Sequence, residues 1–132
     1  MKRHPQLQNL SREHHQALQL ALQARRAAAS GDPAAMAAVV DACRTAFPRE
    51  LEPHFVVEEE TLLPLLIDAG EVALVQRFGS DHSALRRFAD QFSAAQAVDA
   101  ATLLAFADCL NGHVRFEERE LFVALEALLD NR

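Results

Sequence analysis

Two segments of the chain repeat one pattern of metal-binding residue types. His54 is followed four residues later by Glu58, and His113 is followed four residues later by Glu117. Because positions i and i+4 lie on the same face of an α-helix, each pair aims an imidazole and a carboxylate at one point. This donor set suits iron, manganese or zinc, so two such helices facing each other would make a metal site.

Further histidines stand upstream of each copy, in Glu13-His14-His15 and in Asp81-His82. The order is therefore a two-fold repeat of one ligand set, with a histidine from each predicted helix. Facing helices of a bundle commonly build carboxylate-bridged metal pairs from such inward side chains. We expect a dinuclear site in which the two glutamates bridge and the four histidines divide two to each metal.

The first predicted helix offers two candidate ligands. The helical stripe of apolar residues has His14 near its middle, whereas His15 falls about 100° further round. The match between His15-Gln-Ala-Leu and His82-Ser-Ala-Leu favours His15 instead. The stripe gives His14 preference in the ligand set, and the alternative stays open.

The neighbouring polar residues are predicted to lie outside this site. A lone histidine on an apolar face is more often a core residue than a ligand. His4 is expected to lie in a loose end of the chain and is not predicted to be a ligand. The glutamates beside the HxxxE copies are rotated away from them, toward a face that we expect to be solvated. These are Glu59, Glu60, Glu118 and Glu120.

Composition predicts one all-α domain over residues 1–132. Half of the 132 residues are apolar, and the chain has only 4 Gly and no Trp or Tyr, a mix that favours helices. The net charge of −6 and the scattered arginines argue against a nucleic-acid partner. Without an apolar run long enough for a signal peptide or a membrane span, we expect a cytoplasmic protein.

Cys43 and Cys109 match no CxxC pattern and are expected to be small buried residues in a reducing compartment, with a disulfide or thiolate ligand as the alternative.

Turn and cap signals divide the chain into four predicted helices. They run from a Ser11 cap to Ala29, from Pro33 after an Asp32 cap to Asp68, from Glu71 to Ala97, and from an Asp99 cap to Asp130. Short connections between long amphipathic helices favour antiparallel neighbours, so we expect an up-down-up-down four-helix bundle.

Two features interrupt these helices. Prolines 48, 53 and 64 predict kinks in the second helix, and at Pro53 a bend that aims His54 and a simple break fit equally well. Gly79 costs stability in the third helix unless a bend or a close backbone approach requires it.

In its two HxxxE copies and in the histidines upstream of each copy, the chain resembles the hemerythrin-like, or HHE cation-binding, family of four-helix proteins with a non-haem di-iron centre. The resemblance covers about 115 residues, from Leu10 to Phe122. It implies that two iron ions are held by His14, His54, His82 and His113 and are bridged by Glu58 and Glu117.

One departure from the oxygen-carrying hemerythrins stands out. Their third helix presents two histidines four residues apart, whereas here Phe78 and Arg86 flank His82 at that spacing. The resemblance thus implies four histidine ligands, one fewer than in the carriers, and more positions for water or a small ligand. The pattern is closer to bacterial HHE proteins and to hemerythrin-like domains that sense iron or oxygen.

Three functions remain as hypotheses. The leading one is a binding module that responds to iron, dioxygen, peroxide or a related small oxidant, with no protein partner that the sequence identifies. The second is a small di-iron peroxidase or oxidase. The third is a metal-free structural or interaction bundle, in which the buried histidines and glutamates satisfy one another.

Overall fold

The computed structural model describes residues 3–94 and 97–130, and all secondary structure in these ranges is helical. Two π-helical turns, Phe47–Leu51 and Glu117–Leu121, continue one helix into the next. Four long helical segments result, as predicted. They comprise α1 (Pro5–Ser30), then α2 (Pro33–Ala46), α3 (Glu52–Thr61) and α4 (Leu63–Asp68), then α5 (Val72–Ala94), and finally α6 (Ala100–Phe116) with α7 (Phe122–Asp130).

The first helix begins earlier than predicted. It starts at Pro5, and the ring of His4 caps it by accepting a hydrogen bond from the backbone N–H of Gln6 at 3.2 Å. Ser11 lies inside the helix, so its prediction as the N-cap was wrong. Proline at the first helical position was the better signal, because its fixed φ suits a helix start and its missing N–H costs nothing there.

The predicted caps of two later helices are confirmed. The side chain of Asp32 accepts from the N–H of Ala34, and that of Asp99 accepts from the N–H of Thr102. The third helix is described from Val72 to Ala94, whereas the prediction extended it to Ala97. Ala97 is not helical, and residues 95–96 lie outside the described ranges.

The second helix changes its geometry at two of its prolines. Pro48 lies in the π-helical turn, where the N–H of Glu52 donates to the carbonyl of Phe47, five residues back. Proline has no N–H to donate and its ring crowds the preceding turn, which a wider turn relieves. A break follows at Leu62, just before Pro64, whereas Pro53 stands in the first turn of α3.

The core is divided into two apolar clusters with a polar layer between them. One cluster holds Ala17 to Ala27 of α1, and the other holds Leu7 and Leu10 of the same helix. The order along the chain reverses in the second segment, which passes from Phe55 of the first cluster to Leu62 of the second. It reverses again in α5 and in α6–α7. The four segments therefore alternate in direction, as an antiparallel bundle requires.

Both cysteines are free thiols. Cys43 is buried in the first apolar cluster, and burial raises the pKa of its thiol to about 12. Cys109 is only partly buried beside the same cluster. Cys43 therefore acts as a small apolar residue, as predicted.

Among the helices of the described ranges, none has both the length and the apolar character needed to cross a bilayer.

Candidate metal centre

The structure brings the side chains of all six predicted ligands together between the two apolar clusters. Donor atoms of His14, His54, Glu58 and Glu117 lie within 4.8 Å of one another. Those of Glu58, His82, His113 and Glu117 meet the same limit. All six residues are at most 6% exposed. The two groups share both glutamates, so the arrangement has the form of two adjacent cation positions.

The two other histidines lie outside this cluster. His15 follows His14 on α1 but is exposed, because the 100° step around the helix turns it away from the core. His4 caps α1. The structure therefore follows the helical stripe rather than the match between the two His-x-Ala-Leu segments.

The inward-facing atoms of the cluster fit a bound cation. Several of them are buried without a hydrogen-bond partner among the described residues: Nε2 of His54, His82 and His113, both carboxylate oxygens of Glu58, and Oε2 of Glu117. Buried polar atoms rarely remain unpaired, because losing their water costs free energy. Imidazole nitrogens and carboxylate oxygens are also the donors that suit iron, manganese and zinc.

The distances between these atoms support the same fit. Nε2 of His54 lies 3.4 Å from Glu58, Nε2 of His82 lies 3.3 Å from Glu58, and Nε2 of His113 lies 3.4 Å from Glu117. Two donors each about 2.1 Å from one cation are separated by about 3.0–3.4 Å at bond angles between roughly 90° and 109°. His14 differs, because its Nε2 is hydrogen-bonded to Glu117 at 2.7 Å.

On its outer side, each of the four histidines is paired with a carboxylate through Nδ1. A carboxylate at Nδ1 fixes the orientation of the ring and leaves Nε2 available to a metal. The four pairs are Glu118 with His14 at 2.6 Å, Glu13 with His54 at 2.8 Å, Glu59 with His82 at 2.8 Å, and Asp81 with His113 at 2.9 Å.

Two of these carboxylates correct the sequence prediction. Glu59 and Glu118 were expected on a solvated face, but their side chains are only 29% and 30% exposed. A rotation of 100° from the core leaves a side chain at the edge of the bundle, where it reaches the histidine of a neighbouring helix. The expectation that they lie apart from the site was wrong.

The other two, Glu13 and Asp81, were missed as functional residues. A signal was present, since an acidic residue directly precedes His14 and His82 in the two halves of the repeat. Each pairs not with its sequence neighbour but with the histidine of the HxxxE copy in the same half, His54 or His113. Which histidine each acid meets depends on how the helices pack, which helical periodicity alone does not give.

Arginines hold three of the four carboxylates. Arg86 binds Glu59 at 2.7 Å, Arg77 binds Asp81 at 2.9 Å, and Arg3 binds Glu118 at 3.2 Å. Burial acts to raise the pKa of Glu59 and Asp81, but hydrogen bonds from the paired arginine and histidine outweigh it and lower both pKa values. The two acids therefore stay ionised and accept the Nδ1 hydrogen bonds.

The inner carboxylates and histidines shift one another's titration. Burial and the nearby charge of Glu117 raise the pKa of Glu58. Burial acts against ionisation of Glu117 too, but its neighbours Glu58, His113 and His14 hold its pKa well below the usual value. Burial likewise lowers the pKa of His54 and His113, yet the surrounding carboxylates raise them to about 11 and about 9.

A cavity of about 310 Å³ opens beside this cluster. His14, His54, His113 and Glu117 form part of its wall, and Glu13 also contributes to the lining. This volume exceeds by several times the roughly 30 Å³ that one water occupies in the liquid. The cavity can therefore admit a small molecule to the inward side of these histidines.

A family model described as Hemerythrin HHE cation binding domain matches residues 6–125. The chain belongs to the hemerythrin HHE cation-binding family. Comparisons with curated proteins and with solved structures return no match. The family and the buried clusters of histidine and glutamate together support cation binding by this HHE domain.

The positions that distinguish this HHE domain from the oxygen carriers have other roles. The ring of Phe78 lies 4.1 Å from that of His82, centroid to centroid. Arg86 binds Glu52 at 2.9 Å as well as Glu59. Neither residue offers a donor to the cluster, so the structure supplies four histidines rather than five.

Proposed function

We propose that this HHE domain holds two iron ions and that it binds or senses dioxygen or a related small oxidant. His14 and His54 would hold one ion, His82 and His113 would hold the other, and Glu58 and Glu117 would bridge them. The observation that carries the proposal is the pair of overlapping donor groups, each within 4.8 Å, that share the two glutamates. Manganese and zinc suit the same donors and are the alternatives to iron at this site.

The chemistry would come from the metal, while the chain controls its surroundings. Ferrous iron, when bound, supplies electrons to a small oxidant. The outer carboxylates orient the imidazoles, and the two apolar clusters cover the site on either side, so a small molecule would enter through the cavity. With four histidines instead of five, more coordination positions are left for water or the oxidant.

The cavity supports a particular direction of approach. It reaches both His14 and His54 but only His113 of the other pair, so the proposed oxidant would arrive first at the metal that His14 and His54 would hold. The cavity wall combines apolar residues, such as Leu20 and Phe55, with charged ones, such as Arg12 and Arg49. Its volume of about 310 Å³ admits a small molecule such as dioxygen or peroxide.

A metal-free interaction bundle is less well supported. It would bury atoms of His54, Glu58, His82, His113 and Glu117 without a hydrogen bond, at a cost of about 1–3 kcal/mol for each polar group left unsatisfied. A cation removes that cost for all of them at once. The same reasoning explains why four histidines and two glutamates stand in an otherwise apolar core.

The proposal is tested with protein loaded anaerobically with ferrous iron and then exposed to air. We expect ferric absorption to develop in the near ultraviolet, and we expect His54→Ala to reduce it strongly while His15→Ala, at an exposed position, does not. Steady-state consumption of hydrogen peroxide, measured in parallel, distinguishes a binding or sensing role from a peroxidase. No iron-dependent absorption in the native sequence would contradict the proposal.

A further inference from the structure

The two histidine pairs of the metal centre differ in their access to solvent. His14 and His54 line the cavity, and their exposed fractions are 4% and 6%. His82 and His113 are each only 1% exposed. His113 also lines the cavity, but His82 does not, so the cavity reaches both histidines of the first pair and only one of the second. The position between His14 and His54 thus lies nearer to solvent than the one between His82 and His113.

Aromatic rings cover the more deeply buried pair. The ring of His82 lies between Phe55 and Phe78, at centroid distances of 4.2 Å and 4.1 Å. The guanidinium of Arg86 lies over the ring of Phe55 at 5.6 Å. These groups cover the position between His82 and His113 on this side, whereas the cavity reaches both His14 and His54.

The outer carboxylates differ in the same sense. Glu59 and Asp81, which hold His82 and His113, are each fixed by an arginine. Glu13, which holds His54, is 56% exposed and makes no ion pair with an arginine within residues 3–94 and 97–130. Of the four histidines, His54 therefore has the least restrained support.

We propose that the two metal positions exchange in a fixed order. The ion at His14 and His54 is the exchangeable one, whereas the ion at His82 and His113 is retained. This inference rests on the proposed function, because it requires two ions per chain. It gives the protein a one-metal state when free metal is scarce, with Arg86 and Arg77 acting as positioning residues for the retained ion.

Release of ferrous iron to the chelator ferrozine, followed anaerobically by absorbance, tests this order. The protein loaded with two irons is expected to release one iron rapidly and the second at least about 10-fold more slowly. His14→Ala is expected to leave one iron in the slow phase. A single phase that accounts for both irons would overturn the proposed order.

Variants of the supporting residues identify which iron is which. Arg86→Gln frees Glu59, the outer partner of His82, so it should accelerate the slow phase by up to about 10–100-fold, the effect of losing such a partner, and should leave the fast phase unchanged. Arg86→Lys, which keeps the charge, should restore part of the loss, and Glu13→Gln should accelerate only the fast phase. Arg25→Gln removes an exposed ion pair with Asp108 and is the matched control.

The two proposals fail in different ways. If Arg86→Gln accelerated only the fast phase, or Glu13→Gln only the slow one, the assignment of the retained ion would be wrong although the dinuclear site would stand. If the native sequence bound fewer than two irons at saturation, the dinuclear function itself would fail. Circular dichroism of each variant verifies that it is folded before release is measured.

Discussion

Nδ1 of His82 lies 2.8 Å from a carboxylate oxygen of Glu59, the residue directly after the buried Glu58. Consecutive residues of α3 therefore contact the two ring nitrogens of the same imidazole. Glu58 faces Nε2 in the interior, and Glu59 holds Nδ1 at the edge of the bundle. The same division recurs with Glu117 and Glu118 around His14.

Replacing Glu59 with Gln should weaken metal binding. The variant loses the charged acceptor that orients His82, and loss of such an outer partner lowers affinity by about 10–100-fold. Competition titration with ferrous iron measures the change. Glu60→Gln is the matched control, because Glu60 is exposed and is expected to be close to neutral. Equal losses for the two variants would contradict the role assigned to Glu59.

The adjacent histidines of α1 should behave differently. His14→Ala is expected to lower the iron content and to alter the near-ultraviolet spectrum, because His14 is buried beside Glu117. His15→Ala should leave two irons bound, since His15 is exposed. Iron per chain and absorbance, measured side by side for the two variants, give the answer. Loss of iron in His15→Ala alone would reverse the assignment.

Metal binding should release protons. Carboxylates raise the pKa of His54 to about 11 and that of His113 to about 9, so both imidazoles are protonated at pH 7 when no metal is bound. A cation at Nε2 must displace a proton from each, so the apparent affinity should rise as the pH rises from about 6 to 8. An indicator dye in weakly buffered solution measures the release. An affinity that is independent of pH in this range would contradict the prediction.

Helical periodicity was sufficient to predict which side chains face the interior. The six proposed ligands lie on the apolar stripes of their helices, and each stripe fixes a direction because an α-helix has 3.6 residues per turn. The N-caps Asp32 and Asp99 could also be predicted, because their side chains accept hydrogen bonds from backbone N–H groups only two or three residues away. Local capping chemistry and helical periodicity were thus enough to predict the helices and the six inward-facing proposed ligands.

The outer part of the site could not be predicted in this way. Glu13 reaches His54 on another helix, and Glu118 reaches His14, so both contacts depend on the rotation and spacing of neighbouring helices. The π-helical turn at Glu117–Leu121 was also unforeseen, because it contains no proline and little else in its sequence distinguishes it from an ordinary helix. By contrast, the turn at Phe47–Leu51 contains Pro48.

Gly79 lies one turn before the proposed ligand His82 and provides a test of helix stability at a position without a side chain. A Cβ at this position would meet nothing within 4 Å, so no close approach requires glycine there. Gly79→Ala should therefore raise the free energy of unfolding of the metal-free protein by about 0.5–1 kcal/mol. Urea denaturation followed by circular dichroism measures the change. Gly31→Ala, at a φ of +65°, should have the opposite effect, and a loss of stability in Gly79→Ala would contradict the account.

The dinuclear character of the centre is tested most directly by the number of ferrous ions bound per chain in an anaerobic equilibrium titration of metal-free protein. We expect two in the native sequence and in Glu60→Ala. In Glu58→Ala we expect fewer than two, because Glu58 belongs to both donor groups. One ion or none at saturation of the native sequence would contradict the account.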